Sequence, residues 1–105
     1  VVIESKTIKM VSLGSDRVEP EEAMVLRSNG AVLADVREEY EYKESHIQGA
    51  VNIPLDSIES LLTYGRNTII IFYCLNGFKA ELAVEKARAM GFENVYNLGG
   101  ADKLI

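Results

Sequence analysis

The chain has 105 residues, 48% of them hydrophobic and 26% charged, and its 16 acidic against 11 basic side chains give a net charge of −5. These values fit a single globular domain over residues 1–105 that can build a core without staples. They argue against non-specific binding to nucleic acid or anionic membranes, which needs a net positive footprint. One cysteine and one histidine exclude an internal disulfide and a zinc site of the usual Cys/His type. The longest clear apolar run, Ile69–Tyr73, falls far short of the roughly 18–20 residues that span a bilayer. The chain starts at Val1 rather than Met, as expected of a processed chain or a piece of a longer one, and Lys6 and Lys9 interrupt any apolar signal segment.

Loose alternation over Thr7–Ser12 predicts a short first strand, and Gly14-Ser15-Asp16 a turn. Pro20 suits the first position of a helix running to about Arg27, with Glu21 and Glu22 at its positive end and Asn29-Gly30 as its stop. Ala31–Ala34 is apolar without alternation, as in a strand covered on both faces, and Asp35-Val36-Arg37 follows at its carboxyl end. A charged helix is expected over Glu38–Ser45, then a brief strand over Ala50–Ile53 ended by Pro54. Asp56 is expected to cap a helix from Ser57 to about Tyr64, stopped by Gly65.

Thr68–Tyr73 carries the clearest strand signal, three isoleucines, a phenylalanine and a tyrosine without alternation. Lys79–Met90 carries the clearest helix signal, with Leu82, Ala83, Lys86, Ala87 and Met90 at spacings of three and four and Gly91 at the stop. Val95–Leu98 reads as a last strand, broken by Gly99-Gly100. Short non-alternating strands separated by helices indicate an α/β domain on a parallel sheet of about five strands. In such sheets ligands bind beyond the carboxyl ends of the strands. Asp35–Arg37 and Cys74–Lys79 fall at that edge.

The stretch IFYCLNGFKAEL sets the one thiol where a buried strand turns into a helix. Backbone N–H groups at a helix N-terminus lack partners within the helix and stabilise an anion, which for a thiol is its own nucleophilic thiolate. Gly77 permits the backbone angles that curl such amides inward, and Lys79 adds a cation at the rim. Free cysteines are nonetheless among the most buried residues. Strand and cysteine alone favour inert burial, and the Cys–x–x–Gly–x–Lys turn brings a nucleophile level with it.

The surrounding motifs resemble the rhodanese family of sulfurtransferases over about residues 20–100. Cys74-Leu75-Asn76-Gly77-Phe78-Lys79-Ala80 is similar to the family's Cys–x–x–Gly–x–Arg/Lys–Ser/Ala loop. Asp35-Val36-Arg37, Glu41-Tyr42 and Ser45-His46-Ile47 resemble its Asp–x–Arg and Glu–aromatic–x–x–Gly–His–Ile elements. Gly49-Ala50-Val51-Asn52-Ile53-Pro54 matches its Gly-Ala-x-x-Ile-Pro segment, and Gly91-Phe92-Glu93-Asn94-Val95 and Gly99-Gly100 follow in order. The resemblance implies a three-layer α/β/α rhodanese-like fold with Cys74 as the sulfur carrier. It also implies that the amides from Leu75 to Ala80 (Leu75, Asn76, Gly77, Phe78, Lys79, Ala80) ring the persulfide, with no cofactor and no metal. The expected partners are a small-molecule sulfur donor (thiosulfate, polysulfide or persulfide) and a cyanide or thiol acceptor, with a protein acceptor open. No nucleic acid or membrane is expected, and the state expected is a monomer. A lone reduced cysteine suits the cytoplasm, the compartment expected, and suits the periplasm too.

The chain departs from the family pattern at four points. Leu75 puts no charge in the loop where many thiosulfate-using members carry a basic or polar residue. Ser45 replaces a usual glycine, Gly99-Gly100 follows Leu98 one residue early, and Leu104 stands for a frequent tryptophan. Ile105 comes before much of the family's last helix.

Arg37 is a candidate contact for an anionic donor, although an ion pair with Asp35 bracing the loops is the preferred reading. His46 is assigned a structural place at a strand entry. Lys79 is expected to act as an exposed cation near the thiol, and Glu38, Glu39, Glu41 and Glu44 as a solvated helix face.

Two other functions compete. A cysteine phosphatase needs Cys followed by five residues and arginine, whereas here Ala80 holds that place and Lys79 comes one earlier; the shorter loop fits one sulfur better than a tetrahedral oxyanion, and an arsenate reductase cycling through an internal disulfide needs a second cysteine or an external thiol in its place. A catalytically silent rhodanese-like binding or regulatory module is the non-enzyme alternative, disfavoured by the presence of Cys74.

Overall fold

In the computed structural model, residues 16–105 are described. The strand expected at 7–12 and the first two residues of the expected turn lie outside that range. The elements run α1 (Pro20–Ser28), β1 (Val32–Asp35), α2 (Glu39–Glu44), β2 (Val51–Asn52), a 3₁₀ helix (Leu55–Thr63), β3 (Ile70–Cys74), α3 (Phe78–Ala89) and β4 (Val95–Gly100). Among the described residues the sheet has four parallel strands in the order β2-β1-β3-β4. A parallel bridge of Arg17 to Asn97 continues it beyond β4.

All five residues of the central strand β3 are buried, the physical reason its sequence does not alternate. Ile70, Phe72 and Cys74 join a core with the 3₁₀ helix (Ile58, Leu61) and α3 (Ala80, Ala83, Val84, Ala87). Ile71 and Tyr73 point to the other face, where α1 contributes Ala23 and Leu26 and the segment after β1 contributes Tyr42 and Ile47. Helices on both faces of the sheet make the expected α/β/α layering. Cys74 therefore lies on the α3 face, at the carboxyl end of the most buried strand.

Two expected elements differ in form. The segment after Pro54 is a 3₁₀ helix starting at Leu55, interrupted by non-helical angles at Ser57, and Asp56 does not cap it. Its buried residues, Ile58 and Leu61, are three apart, matching three residues per turn. The hydroxyls of Ser60 and Thr63 donate to the carbonyls three residues back, of Ser57 and Ser60. Gly99 and Gly100 do not break β4; they are its last two residues. Phe72 pairs with Asn97 and Cys74 with Gly100, so β4 holds one extra residue across this step, a bulge that Gly99 accommodates at φ 87°.

Candidate active site

The loop from β3 to α3 is built around Gly77, whose φ of 90° lies in the left-handed region that favours glycine. This turn aims the first amides of the helix back at the end of β3. The Gly77 amide donates to Cys74 Sγ at 3.1 Å and the Ala80 amide at 3.4 Å. The Asn76 side-chain Oδ1 accepts the Phe78 amide at 2.9 Å and lies 3.8 Å from Sγ, as an acceptor for the thiol proton. Of the expected ring of amides, those of Gly77 and Ala80 reach the sulfur, while that of Phe78 is held by Asn76. Two backbone donors fixed on one sulfur, at the positive end of a twelve-residue helix, stabilise negative charge there without reorganisation.

Cys74 is 2% exposed, yet it lines a cleft of about 200 Å³ with Arg37, Glu41, Leu75, Asn76, Phe78 and Lys79. The thiol thus packs in the core and also faces an opening. Two larger hollows of about 520 and 600 Å³ share Met24, Arg27, Leu33 and Gly49 beside α1, and neither contains Cys74 or its loop. Among the described residues no cluster of three His, Cys, Asp or Glu side chains could hold a metal ion.

Arg37 lines the cleft but is engaged elsewhere. It is 7% exposed, and its Nε and Nη2 donate to the Asp35 carboxylate at 2.9 to 3.2 Å, with Nη2 also donating to the Ser45 carbonyl at 2.6 Å. The bond to Asp35 raises the pKa of the guanidinium above its ordinary value. Asp35 also accepts the Arg37 amide at 2.9 Å and the Tyr73 hydroxyl at 2.8 Å, and Tyr73 in turn accepts the Ile47 amide at 3.0 Å. Burial above all, with the Asp35 carboxylate adding, pushes the Tyr73 phenol above its ordinary ionisation range, so it remains a donor. The Asn52 amide spans the Asp35 and Arg37 carbonyls. The preferred reading of Asp–x–Arg as a brace matches this geometry. Lys79 is half-exposed and lies 3.8 Å from Glu38, so it too has a carboxylate partner at the rim.

His46 stacks on Tyr42 with ring centroids 3.8 Å apart, and its Nδ1 lies 2.7 Å from the Tyr42 carbonyl. It is not among the residues lining the cleft. His46→Ala is expected to lower stability by about 1 kcal/mol through the lost stack and hydrogen bond, while sulfur-transfer rates change less than about threefold. Thermal melts beside steady-state rates check this, and a large rate loss in a folded variant would give His46 a chemical role.

Two supporting residues escaped the sequence reading. Tyr73 looked like another apolar member of its strand. Asn97 is 2% exposed; its Nδ2 donates to the Gly77 carbonyl and to Glu81 Oε1, and its Oδ1 accepts the Gly99 amide at 2.7 Å. A lone asparagine inside the buried strand Val95–Leu98 was the available signal, since buried amides find partners.

Comparison with known proteins gives a consistent picture. A family model for the Rhodanese-like domain matches residues 19–103. The thiosulfate sulfurtransferase GlpE of Ectopseudomonas mendocina is 32% identical over 89 residues, 84% of this chain and 82% of that protein. The tRNA uridine(34) hydroxylase of Buchnera aphidicola is 35% identical over 83 residues, which is 72% of this chain but 27% of the hydroxylase. Among solved structures, the human single-domain sulfurtransferase TSTD1 superposes with a TM-score of 0.71 at 28% identity, covering 82% of this chain and 90% of that one.

Proposed function

The chain belongs to the rhodanese-like domain family, and from that membership we propose that it is a sulfurtransferase working through a Cys74 persulfide. The Cys74 thiolate attacks the sulfane sulfur of a donor; a new S–S bond forms, the donor's own S–S bond breaks, and its electron pair leaves with the departing group. A cyanide or thiol acceptor then attacks the outer sulfur, and Cys74 takes back the pair as thiolate. The observation that carries this reading is the pair of amides, Gly77 and Ala80, directed at Cys74 Sγ. The same two donors meet the charge of the persulfide. Lys79 and Arg37 supply positive potential at the cleft, Arg37 from within its pair with Asp35.

Similarity to GlpE and to the human sulfurtransferase supports this activity. The hydroxylase similarity supports a second reading, a module serving a longer RNA-modifying protein, against which the net charge of −5 weighs. Intact-mass spectrometry after incubation with thiosulfate, polysulfide or a hydropersulfide separates them. A transferase gains the mass of one sulfur atom and loses it to added cyanide or thiol, and its initial rates give the parallel double-reciprocal lines of a ping-pong reaction. No adduct with any of these donors would favour the silent module, and intersecting lines would count against a covalent intermediate.

A further inference from the structure

The surroundings of Cys74 carry an unusual balance of charge and apolar surface. Two cations, Arg37 and Lys79, stand against three carboxylates, Asp35, Glu38 and Glu41. Arg37 is engaged by Asp35 and the Ser45 carbonyl, and Lys79 faces Glu38 at 3.8 Å. Glu41 lines the cleft with no ion-pair partner among the described residues. A dianion entering here meets no cation without a carboxylate partner of its own.

The rim also carries exposed apolar surface. Leu75 is 51% exposed and Phe78 66% exposed, and they flank the loop that cradles the thiol. A leucine and a phenylalanine so placed gain by being covered with hydrocarbon and offer nothing to a small hydrated anion.

We propose that the Cys74 cleft selects a neutral hydropersulfide, R–S–SH, whose R is an apolar or aromatic group lying on Leu75 and Phe78, over the thiosulfate dianion. The proposal rests on the sulfurtransferase reading and specifies its donor. Cys74–S⁻ attacks the outer sulfur, giving Cys74–S–SH and R–S⁻; the donor's S–S pair leaves on R–S⁻. The leaving thiolate carries one negative charge, where thiosulfate would release the sulfite dianion. Lys79 is half-exposed and its pairing with Glu38 is loose, so it is placed to meet a single charge of that kind.

The test is the rate of persulfide formation on Cys74, quenched and read by intact mass, with benzyl hydropersulfide, methyl hydropersulfide and thiosulfate. The benzyl donor is expected to load about tenfold faster than the methyl one, a preference that Phe78→Ser and Leu75→Ser each reduce to about two- or threefold. Leu75→Lys is expected to raise loading from thiosulfate about tenfold by adding an unengaged cation. Equal benzyl and methyl rates in the unsubstituted protein would overturn the proposal, as would thiosulfate loading faster than both. Those results would leave the sulfurtransferase reading standing, whereas no loading from any of the three would remove that reading and the proposal with it.

Discussion

Replacing Cys74 with alanine is expected to remove sulfur loading altogether and lower sulfur-transfer turnover by about 10⁴-fold or more, the scale seen when a covalent nucleophile is lost. The fold tolerates the change: the side chain shrinks by one atom at the rim of the α3-face core, where Cys74 packs with Phe72 and Ala80. The cost in stability is expected near 1 kcal/mol, the range for a small cavity. Loss of activity without loss of structure is the result that distinguishes a nucleophile from a core thiol. Intact mass and a melting curve on one sample give both readings. Retained turnover in Cys74→Ala would place the chemistry elsewhere.

Asp35→Ala is expected to be the most destabilising of the substitutions considered. Asp35 is fully buried and accepts from the Arg37 side chain, the Arg37 amide and the Tyr73 hydroxyl. Removing the carboxylate leaves a guanidinium of 7% exposure holding the Ser45 carbonyl, and a buried phenol with no acceptor from Asp35. Breaking one side of a buried pair costs about 3–5 kcal/mol, which in a domain of this size lowers the melting temperature by roughly 15 °C or more. The double change Asp35→Leu with Arg37→Met is expected to lose less than Asp35→Ala alone, because no charge is stranded. Chemical denaturation of the two variants beside the unsubstituted protein checks the order. A double variant less stable than the single would mean that the pair stabilises by more than it costs to desolvate. In whatever fraction of Asp35→Ala folds, sulfur loading should persist, since the amides on Sγ come from another loop.

The sequence made the layers legible because burial leaves a compositional mark. Ile70–Cys74 is covered on both faces and so lacks alternation; the small residues Ala80, Ala83 and Ala87 of α3 mark its packed face. The loop was legible for a different reason, since a glycine three residues after a strand-end cysteine limits how the chain can turn. What escaped depends on register. Asn97 pairs in regular register with Phe72 and so faces α3, where it meets Gly77 and Glu81, partners about twenty residues away that composition does not encode. That the helix after Pro54 is 3₁₀ was not legible, because Ile58 and Leu61 satisfy either period over so short a span. The pairing of Lys79 with Glu38 joins residues far apart in the chain, and their individual exposure gave no hint of it.

Asn97 ties the thiol's surroundings to the order in which the chain is made. Its amide grips the Gly77 carbonyl and Glu81, the first turn of the helix that faces the sulfur. During synthesis Cys74 emerges more than twenty residues before Asn97, and until β4 docks, the cradle has no support from that side. In the nascent chain the thiol is thus present before its cradle is braced, and the docking of β4 completes that brace.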